Sequence, residues 1–166
     1  MNSFKILVAH LLVVIITGFF LHEELHSVMA GLWEFAIYCG FFTSLWLTSF
    51  IYSRKYFRQF YYFILLMIFF IKELFISNLK IVWYVITPDL QFTPAVLALP
   101  LTVKSDVEIA LLANLITLTP GTLTLEISDD HKFLFFHIIN VPNKDPEEAK
   151  RQIKEGFEKR ILKMTR

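Results

Sequence analysis

Of the 31 Asp, Glu, Lys and Arg residues in this chain of 166, ten lie in the first 86 positions and 21 crowd into the last 80. A charge in hydrocarbon is costly, whereas a water-facing surface needs many of them. The chain therefore divides into a part suited to lipid, residues 1–86, and a part suited to water, residues 87–166. Hydrophobic residues make up 55% of the sequence and 18 of them are Phe, more than the core of a soluble domain of this length requires. A membrane protein follows, with an α-helical N-terminal half of two to three hydrophobic helices. The net charge of +1 creates no field that would gather nucleic acid, which is not an expected partner. Cys39, the single cysteine, can form no internal disulfide and reads as a small packed hydrophobe.

The first apolar run, Ile6 to Leu21, lacks a small-x-small cleavage site and is followed at once by a second apolar stretch, so it reads as a retained transmembrane helix. His10 inside it reads as a neutral histidine hydrogen-bonded to a neighbouring helix. The second span, Val28 to Tyr52, repeats small residues every four positions at Ala36, Gly40, Ser44 and Thr48. That spacing lines one helix face and predicts a helix-packing surface. Arg54, Lys55 and Arg58 follow directly, while His22, Glu23, Glu24 and His26 join the spans. The positive-inside rule puts the basic segment and the N-terminus in the cytoplasm.

The third stretch, Phe57 to Ile86, begins with an apolar core, Phe60 to Ile71. It then sets Lys72, Glu73, Ser77, Asn78 and Lys80 among large apolar residues at helical spacings, the pattern of an interfacial amphipathic helix. If Phe57–Ile71 crosses the membrane, the polar half lies outside; if it folds back or lies along the surface, that half stays in the cytoplasm. Adjacent Lys72 and Glu73 point to different sectors and do not form a simple pair. Glu73 is a candidate functional residue.

Beyond the break at Pro88-Asp89 the pattern is a small α+β domain in the order β-α-β-β-α. Gln91 to Val103 is extended, and its prolines, Pro94 and Pro100, suit an edge strand. Ser105 and Glu108 form a capping-box signature for a helix from Asp106 to about Thr117. That helix is apolar on nearly every side, so it needs a sheet or a partner to cover it. Leu123, Leu125 and Ile127 alternate with Thr122, Thr124 and Glu126 and predict a half-buried strand with the aliphatic residues inward. Asp129-Asp130-His131 turns the chain into Phe133–Val141, a more apolar strand. Asp145 then caps a helix with Pro146 at its first position and a narrow apolar stripe, Ala149, Ile153, Phe157 and Ile161. The Pro120-Gly121 corner between helix and strand is expected to use threonine hydroxyls on the freed helix carbonyls.

Three strings then become specific: Ser77-Asn78-Leu79-Lys80-Ile81-Val82-Trp83, the Lys104-Ser105-Asp106 step, and NLITLTPGT from Asn114 to Thr122. Together with the order of parts, they resemble the E-type subunit of the Mrp (also Mnh or Sha) multisubunit Na+/H+ antiporters. The resemblance covers essentially the whole chain, with its specific residues between Lys72 and Val141. It implies an accessory or assembly subunit in the plasma membrane of a bacterium or archaeon, multi-pass, with a cytoplasmic C-terminal domain. The other antiporter subunits and the bilayer are the implied partners, with no cofactor, no metal and no enzyme activity. It favours Phe57–Ile86 as a re-entrant or surface helix. The candidate functional or subunit-interface residues are Glu73, Asn78, Asp106, Asn114, Thr117, Thr119, Pro120 and Gly121.

Two other classes are compatible with parts of the sequence. One is a membrane-anchored adaptor with a cytoplasmic α+β domain. The other is a membrane metalloprotease, because His22-Glu23-Glu24-Leu25-His26 matches the H-E-x-x-H spacing that sets two imidazoles on one helical face. The motif falls between two spans and no third ligand follows it.

Overall fold

The computed structural model describes residues 3–21, 28–87 and 92–166, and the His22–His26 motif and the Pro88-Asp89 break lie outside them. Three helices come first: α1 (Ser3–Leu21), α2 (Val28–Tyr52) and α3 (Arg54–Ile86). The third stretch shows no reversal within the helix. Arg54–Ile86 is one uninterrupted helix of 33 residues, without an internal Pro or Gly to reverse it. Among the described residues it is the helix long and apolar enough to cross a membrane, while Ser3–Thr17 and Phe35–Ile51 are shorter apolar stretches.

The chain forms two compact units, Met1–Phe60 and Tyr61–Arg166, with α3 continuing from one into the other. In the first unit, His10 is buried with its Nδ1 3.3 Å from the Tyr56 hydroxyl and its ring edge-on to Phe42 and Tyr56. The histidine thus bonds a neighbouring helix, as its apolar setting requires. Trp46 stacks on Phe57 at 4.7 Å between ring centres.

In the second unit, β1 (Ala95–Pro100), α4 (Asp106–Leu118), β2 (Thr122–Ile127) and β3 (Phe133–Ile138) precede α5 (Pro146–Ile153) and α6 (Lys159–Thr165). The antiparallel sheet has the order β1-β3-β2, so β1, closed by Pro100, is an edge strand and the Phe-rich β3 is central. Leu97, Leu99, Leu134 and Phe136 point into a core shared with Ile109, Leu112, Leu115 and Ile116 of α4 and Leu66 of α3.

One expectation for β2 is reversed. Leu123 and Leu125 are exposed, and Thr122 and Thr124 face α4. The reason is hydrogen bonding: the Thr124 hydroxyl donates to Ala113 O at 3.0 Å and the Thr122 hydroxyl to Ile116 O at 2.6 Å, so the threonines finish the helix. A bulge at Leu125 then restores the phase, and Ile127 turns inward opposite Leu134. The outer face of the sheet carries Val96, Leu123, Phe133 and Phe135, with Val96 59% exposed and no described residue of the unit covering that face.

α4 starts with the expected capping box. Ser105 Oγ accepts from Glu108 N, and Glu108 Oε2 accepts from the N–H groups of Ser105 and Lys104. The other Glu108 oxygen accepts from the Thr165 hydroxyl, which ties the end of α6 to the start of α4. The Thr165 bond is the largest cause holding the Glu108 carboxyl below its ordinary value; slight burial opposes it and the Lys104 and Ser105 N–H groups add to it. The folded value lies below the unfolded one of 4.5, so this contribution is complete above that pH and is lost as pH falls through the folded value. Glu108→Gln is therefore expected to lower stability at neutral pH by about 1 kcal/mol and to flatten its fall below pH 4.5. Denaturation of the full chain in detergent at both ends of that window measures it.

The last helix contains a π turn, Lys154–Glu158, between α5 and α6. Ala149, Ile153, Phe157 and Ile161 recur every four residues, which in an α-helix would drift about 40° per step. The wider turn absorbs the surplus, and all four are buried. It also loosens backbone carbonyls, and Arg160 Nη1 donates to Glu155 O at 2.9 Å and Gly156 O at 2.6 Å. The Arg160 guanidinium lies over the Phe69 ring, 3.7 Å from its centre, and Phe69 meets Phe157 edge-on. Gly156 permits this approach, since a Cβ there would sit 3.2 Å from Phe69 Cζ. Glu158, 2% exposed, accepts from the N–H groups of Thr102 and Val103 and pins the segment between β1 and α4.

Candidate functional site

Glu73, Ser77, Lys80 and Tyr84 follow one another at four, three and four positions, so α3 presents them on one face. That face, with Phe69 below it, forms one wall of a groove enclosing about 220 Å³. The opposite wall is the Thr119–Thr122 corner and the segment leaving β3 at Ile139 and Asn140, and Gln152 of α5 closes one end. Ser77 is buried, and among the described residues neither Glu73 nor Lys80 forms an ion pair.

The corner is held by its threonines. Thr119 Oγ1 donates to Leu115 O at 2.8 Å, Thr122 Oγ1 also reaches Thr119 O at 2.9 Å, and Thr124 N donates to Thr117 Oγ1 at 3.2 Å. Pro120 cannot extend α4. Gly121 has φ +91°, which disfavours any residue with a Cβ, and a Cβ there would meet Ile139 Cγ2 at 3.1 Å. Its carbonyl accepts from Ile139 N at 2.9 Å, which ties the corner to the strand end. Across the groove, Asn140 Nδ2 donates to the Tyr84 hydroxyl at 3.2 Å, and Asn140 Oδ1 accepts from Thr93 N at 3.3 Å. The corner is thus fixed by hydrogen bonds, and polar side chains line the groove.

Of the residues singled out in the sequence, the structure brings Glu73, Thr119, Pro120 and Gly121 to this groove. The others stand elsewhere. Asn78 is exposed and bonds Leu74 O, Asn114 is exposed and bonds Ala110 O, and Asp106 lies 3.5 Å from His131 at the surface. Thr117 supports the corner without entering the groove. Ala36, Gly40, Ser44 and Thr48 are exposed, and nothing lies within 4 Å of a Cβ built on Gly40. Sequence reasoning missed Tyr84, Asn140 and Gln152. The helical spacing of Glu73, Ser77, Lys80 and Tyr84 was a usable signal, whereas Asn140 and Gln152 reach the site only through the tertiary fold. No group of three or more potential metal ligands occurs among the described residues.

A family model described as Na+/H+ ion antiporter subunit matches residues 4–164. The chain is 39% identical over 127 residues to the E-type Na(+)/H(+) antiporter subunit of Alkalihalophilus pseudofirmus, covering 76% of this chain and 79% of that one. It is also 39% identical over 135 residues to the corresponding antiporter subunit of Bacillus subtilis, covering 76% and 84%. Among solved structures, a chain of the membrane-bound sulfane sulfur reductase, an archaeal respiratory membrane complex, is similar with a TM-score of 0.58 and 26% identity. That match spans 96% of this chain and 98% of its counterpart.

Proposed function

This chain belongs to the family of Na+/H+ ion antiporter subunits and is an E-type component of a multisubunit antiporter, and on that premise we propose an accessory, assembly-directed role for it. Its partners are the other subunits of that complex. A proton–cation exchanger needs a connected line of intramembrane ionisable groups. The apolar helices here offer His10, Glu34, Lys72 and Glu73, so the ion path belongs to the partners and this chain holds them together.

The single observation that carries this reading is the amount of apolar surface left open. The outer sheet face shows Val96, Leu123, Leu125 and Phe133. A second stripe, Tyr61, Ile64, Ile68, Ile71, Phe75, Leu79, Val82 and Ile86, runs along α3 on the side away from the α+β core. Patches of this extent on one chain mark contact with protein or lipid. The small-residue face of α2 is a third surface of the same kind.

In this reading α1 and α2 cross the plasma membrane as a hairpin, with Arg54, Lys55 and Arg58 at its cytoplasmic end. The α+β unit stays in the cytoplasm, and α3 from Tyr61 onward lies along the membrane surface. Support comes from the packing of α3: Leu66 belongs to the α+β core and Phe69 stacks with Arg160, so a transmembrane path would bring the charged α5 and α6 into hydrocarbon. The Glu73–Gly121 groove is then a subunit contact.

Purification of the tagged chain from its native host in mild detergent is expected to recover the large antiporter subunits, identified by mass spectrometry. Recovery of the chain alone would move the reading to a membrane-anchored adaptor. Thr119→Tyr, which fills the groove while leaving the Thr122 and Thr124 bonds in place, is expected to reduce that recovery roughly tenfold, the effect of losing one good interface contact. Unchanged recovery would remove the groove from the interface.

A further inference from the structure

Besides the polar groove, α3 borders a second, more open one of about 630 Å³ on the other side of Phe69. Its rim carries four cations, Lys72 of α3 and Lys159, Arg160 and Lys163 of α6, against one carboxylate, Glu155. Glu155 is taken by Lys159 at 2.6 Å. Arg160 is committed to Phe69 and to two backbone carbonyls. Lys72 and Lys163 have no acidic partner among the described residues. Between these charges the lining is mostly apolar, Tyr62, Leu65, Ile68 and Phe69, and Ile68, 59% exposed, belongs to the open apolar stripe of α3.

We propose that this groove holds the anionic phosphate headgroup of a membrane phospholipid, with the acyl chains laid along the apolar stripe of α3. The two halves of the groove match the two halves of such a molecule. Lysines without an acidic partner beside the apolar face of a helix attract a phosphate, and a soluble phosphate would gain nothing from Leu65 and Ile68. Lys72 makes the geometry selective, because it stands on the helix that meets the bilayer while Lys163 approaches from the α+β side. The headgroup would thereby bridge α3 to α6, reinforcing the contact that Phe69 and Arg160 already make. The assignment rests on the surface placement of α3 and is independent of which proteins the chain assembles with.

The test is native mass spectrometry of the full chain in mild detergent, titrated in turn with phosphatidylglycerol, phosphatidylcholine and soluble glycerol phosphate. Phosphatidylglycerol is expected to remain bound at the lowest concentration, and each neutralisation among Lys72→Gln, Lys159→Gln and Lys163→Gln to weaken it roughly fivefold. Lys72→Arg with Lys163→Arg should restore binding, which separates lost charge from lost fold. Equal retention of phosphatidylcholine, or a triple Gln variant that binds as wild type, would overturn the proposal. Competition by glycerol phosphate at the same concentration would reassign the site to a soluble phosphate. Cross-linking from position 163 to an acidic partner protein in the intact complex would reassign it to a protein contact. The wild-type headgroup preference can fail while the antiporter subunits still co-purify, so the two readings fall separately.

Discussion

Phe136→Ala is expected to lower the unfolding free energy of the α+β unit by about 3–5 kcal/mol, the range for emptying a large core side chain. Phe136 is fully buried on the central strand, opposite Leu97 on one side and Thr124 on the other. Rigid elements surround it, with β1 and β2 hydrogen-bonded to its own strand and α4 bonded to β2 through threonine, so the cavity cannot collapse without breaking a ladder. Hydrogen exchange of the full chain in detergent should show the strand amides of β1, β2 and β3 losing protection together. A loss below about 1 kcal/mol would mean that the sheet and α4 repack freely, contrary to this bonding.

Glu158→Ala should cost about 2–4 kcal/mol by a different route, since what it chiefly removes is a buried hydrogen-bond acceptor rather than an apolar core side chain. The carboxylate is buried and receives two backbone N–H groups, of which Val103 belongs to a buried residue. Alanine strands both donors where water cannot easily replace the acceptor. Glu158→Gln keeps an oxygen on the same side chain and should lose about half as much. The diagnostic readout is local: the Thr102 and Val103 amides should exchange faster in the alanine variant before global stability falls. Equal losses for Ala and Gln would show that charge, not acceptor geometry, holds the segment.

Much of this architecture was legible because it rests on local chemistry. Ser105 and Glu108 announced α4, Asp145-Pro146 announced α5, and Pro100 marked β1 as an edge. The stripe from Ala149 to Ile161 identified the buried side of the last helix, although no residue type announced the π turn that keeps it aligned. β2 misled because alternation gives a period and not a phase. Thr122 and Thr124 turned inward to serve carbonyls of a helix that is adjacent only in the fold. Lys72 and Glu73 suggested a change of structure in mid-stretch, yet they line different grooves on opposite sides of Phe69 in one helix. For the groove, Pro120-Gly121 and Glu73 were visible as unusual residues in their context. Asn140 and Tyr84 were not, because their bond spans 56 positions.

The uncovered outer face of the sheet bears on how a cell keeps the numbers of its subunits in step. A copy made in excess of its partners displays Val96, Leu123, Leu125 and Phe133 to the cytoplasm in the proposed orientation, the kind of surface that chaperones retain and proteases clear. In that orientation such a chain is not expected to accumulate as a reserve. Its abundance is expected to follow that of the complex, so that the stoichiometry of the assembly would be set after synthesis, by the lifetime of what remains unassembled.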